Sequence, residues 1–350
     1  MVTNLDSEIR ISGDSHVSEP PDLWVKRLPA AFSDEALTFP HLKFGRGNFA
    51  REGGFDPAKR LKDQAYDGIS AEILFPTQGL NIFRQFYKKP INVALSKACE
   101  RVYNDWMIEF CQYAPERLWG QALISLYDVD YAIEEMIRTK NEGLKGVATW
   151  VAPPDNLPWT GDHYERFWSA AEDNDVNIAM HINSGFGVYA ETVIQEEDRY
   201  QMLTRQAYGH KMVAMKTLSE LILSGVFERH PRLKLLIAEF ECGWIPFFLE
   251  DLDRKFGRGT DLGLTMLPSE YFARSVRSTF MQDGVTGYLL ERWGVDNFVY
   301  SNDYPHPGGV WPHSDDTVAL TMADLPAETR AKVLGQTLAK FYNQPMPTPS

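Results

Sequence analysis

The run Val176-Asn177-Ile178-Ala179-Met180-His181 decides how the rest of the chain is read. In an extended backbone alternate side chains point to opposite faces, so Val176, Ile178 and Met180 share one side and Asn177, Ala179 and His181 the other. The bulky apolar side suits packing against helices, which turns the smaller, more polar side toward a barrel interior. His181 then ends the strand pointing inward, at the carboxyl edge where parallel α/β barrels keep their chemistry. A histidine there is equally well a core residue satisfied by a neighbour, so its meaning depends on what the other strand ends carry.

On both sides of this run, similar short β-branched or apolar segments recur with helical patterns between them. Strands are expected at 8–13, 69–75, 119–126, 144–150, 176–182, 234–239, 276–281 and 297–301, and helices at 56–67, 91–113, 129–139, 163–173, 201–228, 245–256, 285–293 and 326–342. Strict alternation of this kind predicts an α/β fold, a (β/α)8 TIM barrel with an insertion after strand 1, over an open doubly wound sheet. The 350 residues suffice for one such domain over 1–350. Residues 17–55, rich in Pro and Gly, read as a loop over the catalytic mouth, 258–275 as a second irregular stretch, and 345–350 as a frayed tail.

The bulk numbers exclude some functions. A net charge of -13 argues against a sequence-independent nucleic-acid surface, which needs clustered Lys and Arg. No run approaches the ~20 apolar residues of a membrane helix, and the N-terminus lacks the pattern of a signal peptide. Cys99, Cys111 and Cys242 are odd in number and lack CxxC spacing, so neither a disulfide framework nor a thiolate zinc site is suggested, and a cytoplasmic location fits. Aromatic-rich segments such as 83–90 and 244–248 suit core and subunit contacts, which points to a homodimer acting on a small molecule.

The other strand ends carry chemistry. Asp14 and His16, two residues apart just past the first expected strand, can reach one ion from one face. Asp303 closes the last strand before a turn-rich YPHPGG segment. Each alone has an ordinary explanation: a cap for Asp14 or Asp303, a loop residue for His16. Their conjunction with His181, at the carboxyl ends of strands one, five and eight, is what favours a divalent metal centre on Asp14, His16, His181 and Asp303.

With these residues in view, the chain resembles the amidohydrolase-related family, in the branch that holds aminocarboxymuconate semialdehyde decarboxylase, resorcylate-type decarboxylases and related hydrolases. The likeness lies in GDSH (13–16), DGISAEILFPTQ (67–78), GLKGVATW (143–150), MHINSG (180–185), SGVFERHPRLKLLIAEFECGW (224–244) and SNDYPHPGG (301–309). It implies a (β/α)8 barrel with Asp14, His16, His181 and Asp303 at metal-binding positions. Two departures stand out. Asp14 takes a place usually held by His or Glu, and Ala238-Glu239-Phe240-Glu241 stands where Ala-His-Gly-Gly is common, so Glu239 replaces a histidine to which the resemblance would give acid/base work.

Leu235, Ile237 and Glu239 alternate on one face of strand six, which is expected to aim Glu239 into the mouth. There it is a further metal ligand, an acid/base group, or a structural carboxylate paired with an arginine. Three carboxylates around one M2+ leave net negative charge, whereas two ions with a hydroxide come near balance. His210 and His306 are further candidates for ligation or proton transfer, though each is as readily an ordinary helix or loop residue. Arg84 and Lys88 are candidates to meet a substrate carboxylate. The metal expected is Zn, Mn or Fe, one or two ions per chain.

Three chemistries use this set. The first expectation is hydrolysis of a small cyclic or aromatic substrate by metal-activated water, with Asp303 as general base. The alternatives are non-oxidative decarboxylation of an aromatic or unsaturated acid, weakened by loss of the strand-six histidine, and oxygen activation at a di-iron centre, which carboxylate-rich clusters favour. A barrel that merely binds is the non-enzymatic alternative.

Overall fold

Eight parallel strands pair in chain order in one sheet, β1 (Ile11–His16), β2 (Ala71–Phe75), β3 (Leu118–Leu123), β4 (Gly146–Thr149), β5 (Asn177–His181), β6 (Leu235–Ala238), β7 (Val276–Phe280) and β8 (Phe298–Tyr300). The structure, a computed structural model, describes residues 8–36, 51–85, 92–186, 200, 203, 205–258 and 261–349. The sheet curls until its ends meet: the Asp303 N–H donates to the Asp14 carbonyl at 2.9 Å and the His16 N–H to the Tyr304 carbonyl at 2.5 Å. This nearly closed barrel with flanking helices is the (β/α)8 arrangement that strict alternation predicts.

The helices are α1 (Leu23–Arg27), α2 (Pro57–Tyr66), α3 (Leu80–Gln85), α4 (Val93–Cys111), α5 (Val129–Asn141), α6 (Glu165–Asp173), α7 (His210–Leu223), α8 (Val226–Arg229), α9 (Ile245–Phe256), α10 (Pro268–Ser275), α11 (Gly284–Trp293), α12 (Ser314–Met322), α13 (Ala327–Ala331) and α14 (Thr337–Phe341). Several start where a short polar side chain satisfies a free backbone N–H: Asp56 before α2, Asn92 before α4, Asp128 before α5 and Asp283 before α11.

Strand alternation divides the apolar residues between two cores. Val147, Ile178, Met180, Leu235 and Ile237 belong to the core between sheet and helices, while Ala148, Ala179, Leu236, Ala238 and Val299 fill the barrel interior. Each large apolar side chain so buried contributes about 1.5–3 kcal/mol. The C-terminal segment closes the floor, with Phe341 and Tyr342 in the interior core and the Asn177 amide donating to the Phe341 carbonyl. One glycine is dictated by this packing: a Cβ on Gly146 would sit 2.8 Å from the Asn177 carbonyl oxygen of β5 as well as 2.3 Å from Gln121 Oε1.

Several expected boundaries move. The first strand is Ile11–His16 rather than 8–13, because Ser15 and His16 pair with Leu74 and Phe75 after an irregularity between Ser12 and Ser15. The helix expected at 201–228 breaks at Gly225, whose φ of 80° is left-handed, before α8 resumes. The irregular stretch 258–275 contains α10, started by Pro268. The insertion 17–55 is not all loop: α1 lies in it and docks on α4 through the Trp24 indole, which donates to the Cys99 carbonyl, while 37–50 fall outside the described residues. Residues 345–349 have no regular structure, with Pro347 buried. The three cysteines are free and buried, and no helix among the described residues is long and apolar enough to cross a membrane.

Candidate metal centre

The carboxyl ends of β1, β5, β6 and β8 bring six side chains together. Asp14, His16, His181 and Glu239 form one group of potential ligands and His16, Glu239, Asp303 and His306 another, the donor atoms of each lying within 4.8 Å of one another. Asp14 and His16 close β1, and His181 ends β5 with its inward parity as expected. Glu239 and Asp303 follow β6 and β8 in left-handed conformations, with φ of 66° and 50°. Such conformations are uncommon for residues with a Cβ and collect at functional sites, where the surroundings hold them.

Glu239 reaches the mouth by a route that alternation does not predict. Leu235 and Ile237, its expected face-mates, point outward into the helix-packed core, and continued alternation would have sent Glu239 with them. The strand instead ends at Ala238, the Glu239 N–H donates to Thr279 Oγ1 at 2.8 Å, and the left-handed residue redirects the side chain. The expected destination holds, but the reason is a backbone turn and not strand parity.

The two histidines of the first group are oriented from behind. His16 Nδ1 lies 2.9 Å from the Pro76 carbonyl and His181 Nδ1 2.8 Å from the Ile182 carbonyl. A carbonyl only accepts, so both Nδ1 atoms carry the proton and both Nε2 atoms present lone pairs. Those Nε2 atoms face each other at 3.0 Å. Two lone pairs at that separation need a shared cation, a proton or a metal ion. His16 Nε2 also lies 3.5 Å from Asp14 Oδ1 and from Asp303 Oδ1, and His181 Nε2 3.4 Å from Asp14 Oδ1 and 3.3 Å from Glu239 Oε2.

These separations bracket the edge of about 3.3 Å in a tetrahedron with bonds of about 2.0–2.1 Å, as Zn2+ makes to N and O ligands. Both carboxylate oxygens of Asp14 are buried without a hydrogen-bond partner, and buried Oδ1 of Asp303 has the His306 ring nitrogen 2.9 Å away. Buried carboxylates normally take several such bonds. Unsatisfied oxygens facing two bare imidazole nitrogens fit a divalent cation.

Depth separates the six. The side chains of Asp14, His16, His181 and Asp303 are at most 3% exposed, whereas His306 is 17% and Glu239 25% exposed. His306 stacks on the His16 ring with centroids 3.8 Å apart, its Nδ1 lies 2.9 Å from Asp303 Oδ1, and its Nε2 is 3.1 Å from the Thr77 hydroxyl. The quartet is therefore the floor of the site and Glu239 with His306 its solvent-facing rim.

Electrostatics follow from burial. Burial, then Asp303, pushes the Glu239 carboxyl up to about 8, and burial with Asp14 raises Asp303 well above the usual carboxylate range. Burial opposes charge on His181, but Asp14 and Glu239 outweigh it and bring its pKa to about 9. His16 is held neutral by burial and by His306 and His181, and burial pulls His306 down to about 4. The metal-free cluster thus stores protons in the space a cation would fill.

The remaining candidates are placed differently. His210 is buried at the start of α7 and belongs to neither ligand group. Arg84 lies on α3, but its side chain, like Lys88, falls outside the described residues. Thr77 and the Pro76 carbonyl, both in the DGISAEILFPTQ block immediately after β2, join the site without having been singled out by any pattern; their position past a strand end is the signal that points to them.

The chain belongs to the amidohydrolase family, whose model (Amidohydro_2) matches residues 50–344. Over 219 residues it is 28% identical to a gamma-resorcylate decarboxylase of Rhodococcus jostii (strain RHA1), covering 58% of this chain and 64% of that protein. A gamma-resorcylate decarboxylase of Rhizobium sp. (strain MTP-10005) is 23% identical over 226 residues, with the same coverage, 58% and 64%. The chain therefore matches less than two thirds of the length of either relative. An amidohydrolase from Mycobacterium avium subsp. paratuberculosis K-10 has the same fold, with a TM-score of 0.80 at 17% identity over 96% of this chain and 99% of that one. A 5-carboxyvanillate decarboxylase from Novosphingobium aromaticivorans, solved with manganese and 4-hydroxy-3-methoxy-5-nitrobenzoic acid, has a TM-score of 0.74 at 17% identity over 97% of each chain.

Proposed function

We propose that the chain is a metal-dependent, non-oxidative decarboxylase of an aromatic or unsaturated carboxylic acid. The observation that carries this reading is the division of the site into four buried side chains, Asp14, His16, His181 and Asp303, and a partly exposed carboxylic acid, Glu239, beside them. Relatives that are gamma-resorcylate decarboxylases support it over hydrolysis. Asp14, His16, His181 and Asp303 would hold the ion, with Zn and Mn both suited to this donor set. Bound there, a divalent ion would supply positive charge to offset the substrate's carboxylate.

Glu239, standing where the family often has histidine, delivers the proton. Its protonated carboxyl gives H+ to the carbon that bears the substrate carboxylate. The bond from that carbon to the carboxylate then breaks, its electron pair restores the π system, and CO2 leaves. The sum is RCO2- + H+ giving RH + CO2, and Glu239 recovers its proton from solvent at the rim. His306 and Thr77 give that rim a polar edge that orients the substrate. Hydrolysis would instead ask Asp303, one of the buried quartet, to serve as general base toward a substrate that meets Glu239 first.

The test is CO2 release and product analysis on Mn2+-loaded protein with a panel of hydroxylated benzoates in D2O. The expected product carries one deuterium on the carbon that lost the carboxylate. Full metal occupancy with no CO2 from any panel member would overturn the reading.

One observation favours a second reading. His16 and Glu239 are common to the two ligand groups, and His16 offers a single lone pair, so both groups could hold an ion only with Glu239 shared between them. Two irons per chain with a paired-iron Mössbauer signature, and substrate-dependent O2 uptake, would replace decarboxylation with oxygen chemistry.

A further inference from the structure

Behind the ligand-bearing ends of β1 and β8 lies a buried ion pair that none of these reactions employs. Arg60, on α2, and Glu72, on β2, are almost wholly enclosed, with Arg60 Nε donating to Glu72 Oε2 at 2.6 Å. Arg60 Nη1 donates to the His16 carbonyl at 2.7 Å, and its guanidinium lies 4.1 Å over the ring of Tyr304, the residue after Asp303. The hydroxyl of Ser15, which stands between Asp14 and His16, lies 3.2 Å from Glu72 Oε1 and 2.9 Å from Oδ1 of Asn302, the residue before Asp303. The Gln64 amide donates to Glu72 Oε2 at 2.7 Å. One guanidinium and its partner thus hold Ser15 and His16 on one strand and Tyr304 beyond the other, and Ser15 carries the contact on to Asn302.

Stability alone is a poor reason for such a pair. Taking two charges out of water costs several kcal/mol per ion, and well-packed apolar residues often do as well or better. What an apolar pair cannot do is fix a carbonyl, a carboxylate and an aromatic face in one geometry. A planar guanidinium with a rigid fork of donors can.

Resting on the metal-centre reading above, we propose that Arg60 is a positioning residue of the metal centre: it holds the His16 backbone and the Tyr304 ring so that the β1 and β8 ligands converge on one point. Loss of a partner that orients a metal ligand typically weakens metal binding by about 10–100-fold.

Two variants test this. Arg60→Lys keeps the charge and so the pair with Glu72, but loses the fork and the ring contact. Arg60→Met/Glu72→Gln removes both charges and leaves a neutral amide able to bond Gln64 and Ser15, so no buried charge is stranded. On metal-free protein, Mn2+ affinity is measured by chelator competition, coordination by the visible spectrum of the Co2+-loaded form, and stability by thermal unfolding. Both variants are expected to bind Mn2+ about 10–100-fold more weakly with an altered Co2+ spectrum, even where the unfolding midpoint is close to wild type. Unchanged Mn2+ affinity and Co2+ spectrum in either folded variant, whatever the midpoint does, would overturn the assignment and leave Arg60 a structural residue. A wild-type protein that binds neither Mn2+, Zn2+ nor Fe2+ would sink the metal reading and this assignment together; binding by wild type and variants alike sinks only the latter.

Discussion

The buried quartet and the rim pair draw on the same residue types but stand in different physical surroundings. Asp14, His16, His181 and Asp303 are closed off from water, fixed from behind by backbone carbonyls and by β1–β8 hydrogen bonds, and left with unsatisfied atoms aimed at one another. Glu239 and His306 sit one layer out, where solvent reaches them. Groups without access to substrate or solvent are suited to holding an ion, and groups with access to both are suited to moving a proton. In the proposed decarboxylase, the same residue types one layer apart would thus serve two ends.

Removal of a floor ligand challenges that division most severely. His181→Ala should abolish metal uptake, a loss beyond the roughly 10–100-fold that follows loss of an orienting partner, and turnover should go with it. Metal analysis and turnover on the same sample check this. Retention of a full metal complement would mean that the ion is held by the rim instead.

Glu239→Gln probes the other layer. As an isosteric change that removes only the transferable proton, it should lower turnover by about 10²–10⁴-fold while metal content stays constant. Halved metal content would reassign Glu239 as a ligand of a second ion and blur the distinction between floor and rim.

The smallest effect concerns protons in the metal-free protein. Glu239, Asp303 and His181 all have folded-state pKa values above their unfolded ones, so each contributes stability that is present at low pH and lost as pH rises through its folded value. Glu19 and Glu100, both raised to about 7 by burial, act in the same direction. His16 and His306 are shifted the opposite way, but their contribution is complete once pH exceeds the unfolded value of 6.5. Between about pH 7 and 9 the metal-free unfolding temperature should therefore fall, and saturating Mn2+ should flatten or reverse that slope because the ion takes the place of the protons. An unfolding temperature that rises over this range without metal would show that the cluster does not store protons.

The six side chains differ in how far a linear pattern reveals them. His181 is legible because its strand stays extended to the last residue, so a period of two carries the side-chain direction through to the end. Asp14 and His16 are legible as a pair, although the strand that holds them runs three residues beyond the expected 8–13. Alternation with Leu235 and Ile237 points Glu239 to the mouth for the wrong reason, since those two residues face the other way. His306, three residues after Asp303, and His210, in the helix after strand five, are equally plausible from their places in the chain, yet only the His306 ring stacks on His16, and His210 lies outside both ligand groups.

The order of the amino acids is enough to dictate the alternation of strands and helices, hence the barrel, and the placement of Asp14, His16, His181 and Asp303 at strand ends. These are local properties, set by side-chain period and by where each apolar run stops. Three-dimensional packing had to settle which side chains are floor and which are rim, that Glu239 turns inward through a left-handed residue, and that Arg60 braces two strands from opposite ends of the chain. The turn of Glu239 depends on Thr279 of the neighbouring β7, and the bracing on closure of β8 against β1, contacts between distant segments that no local pattern encodes.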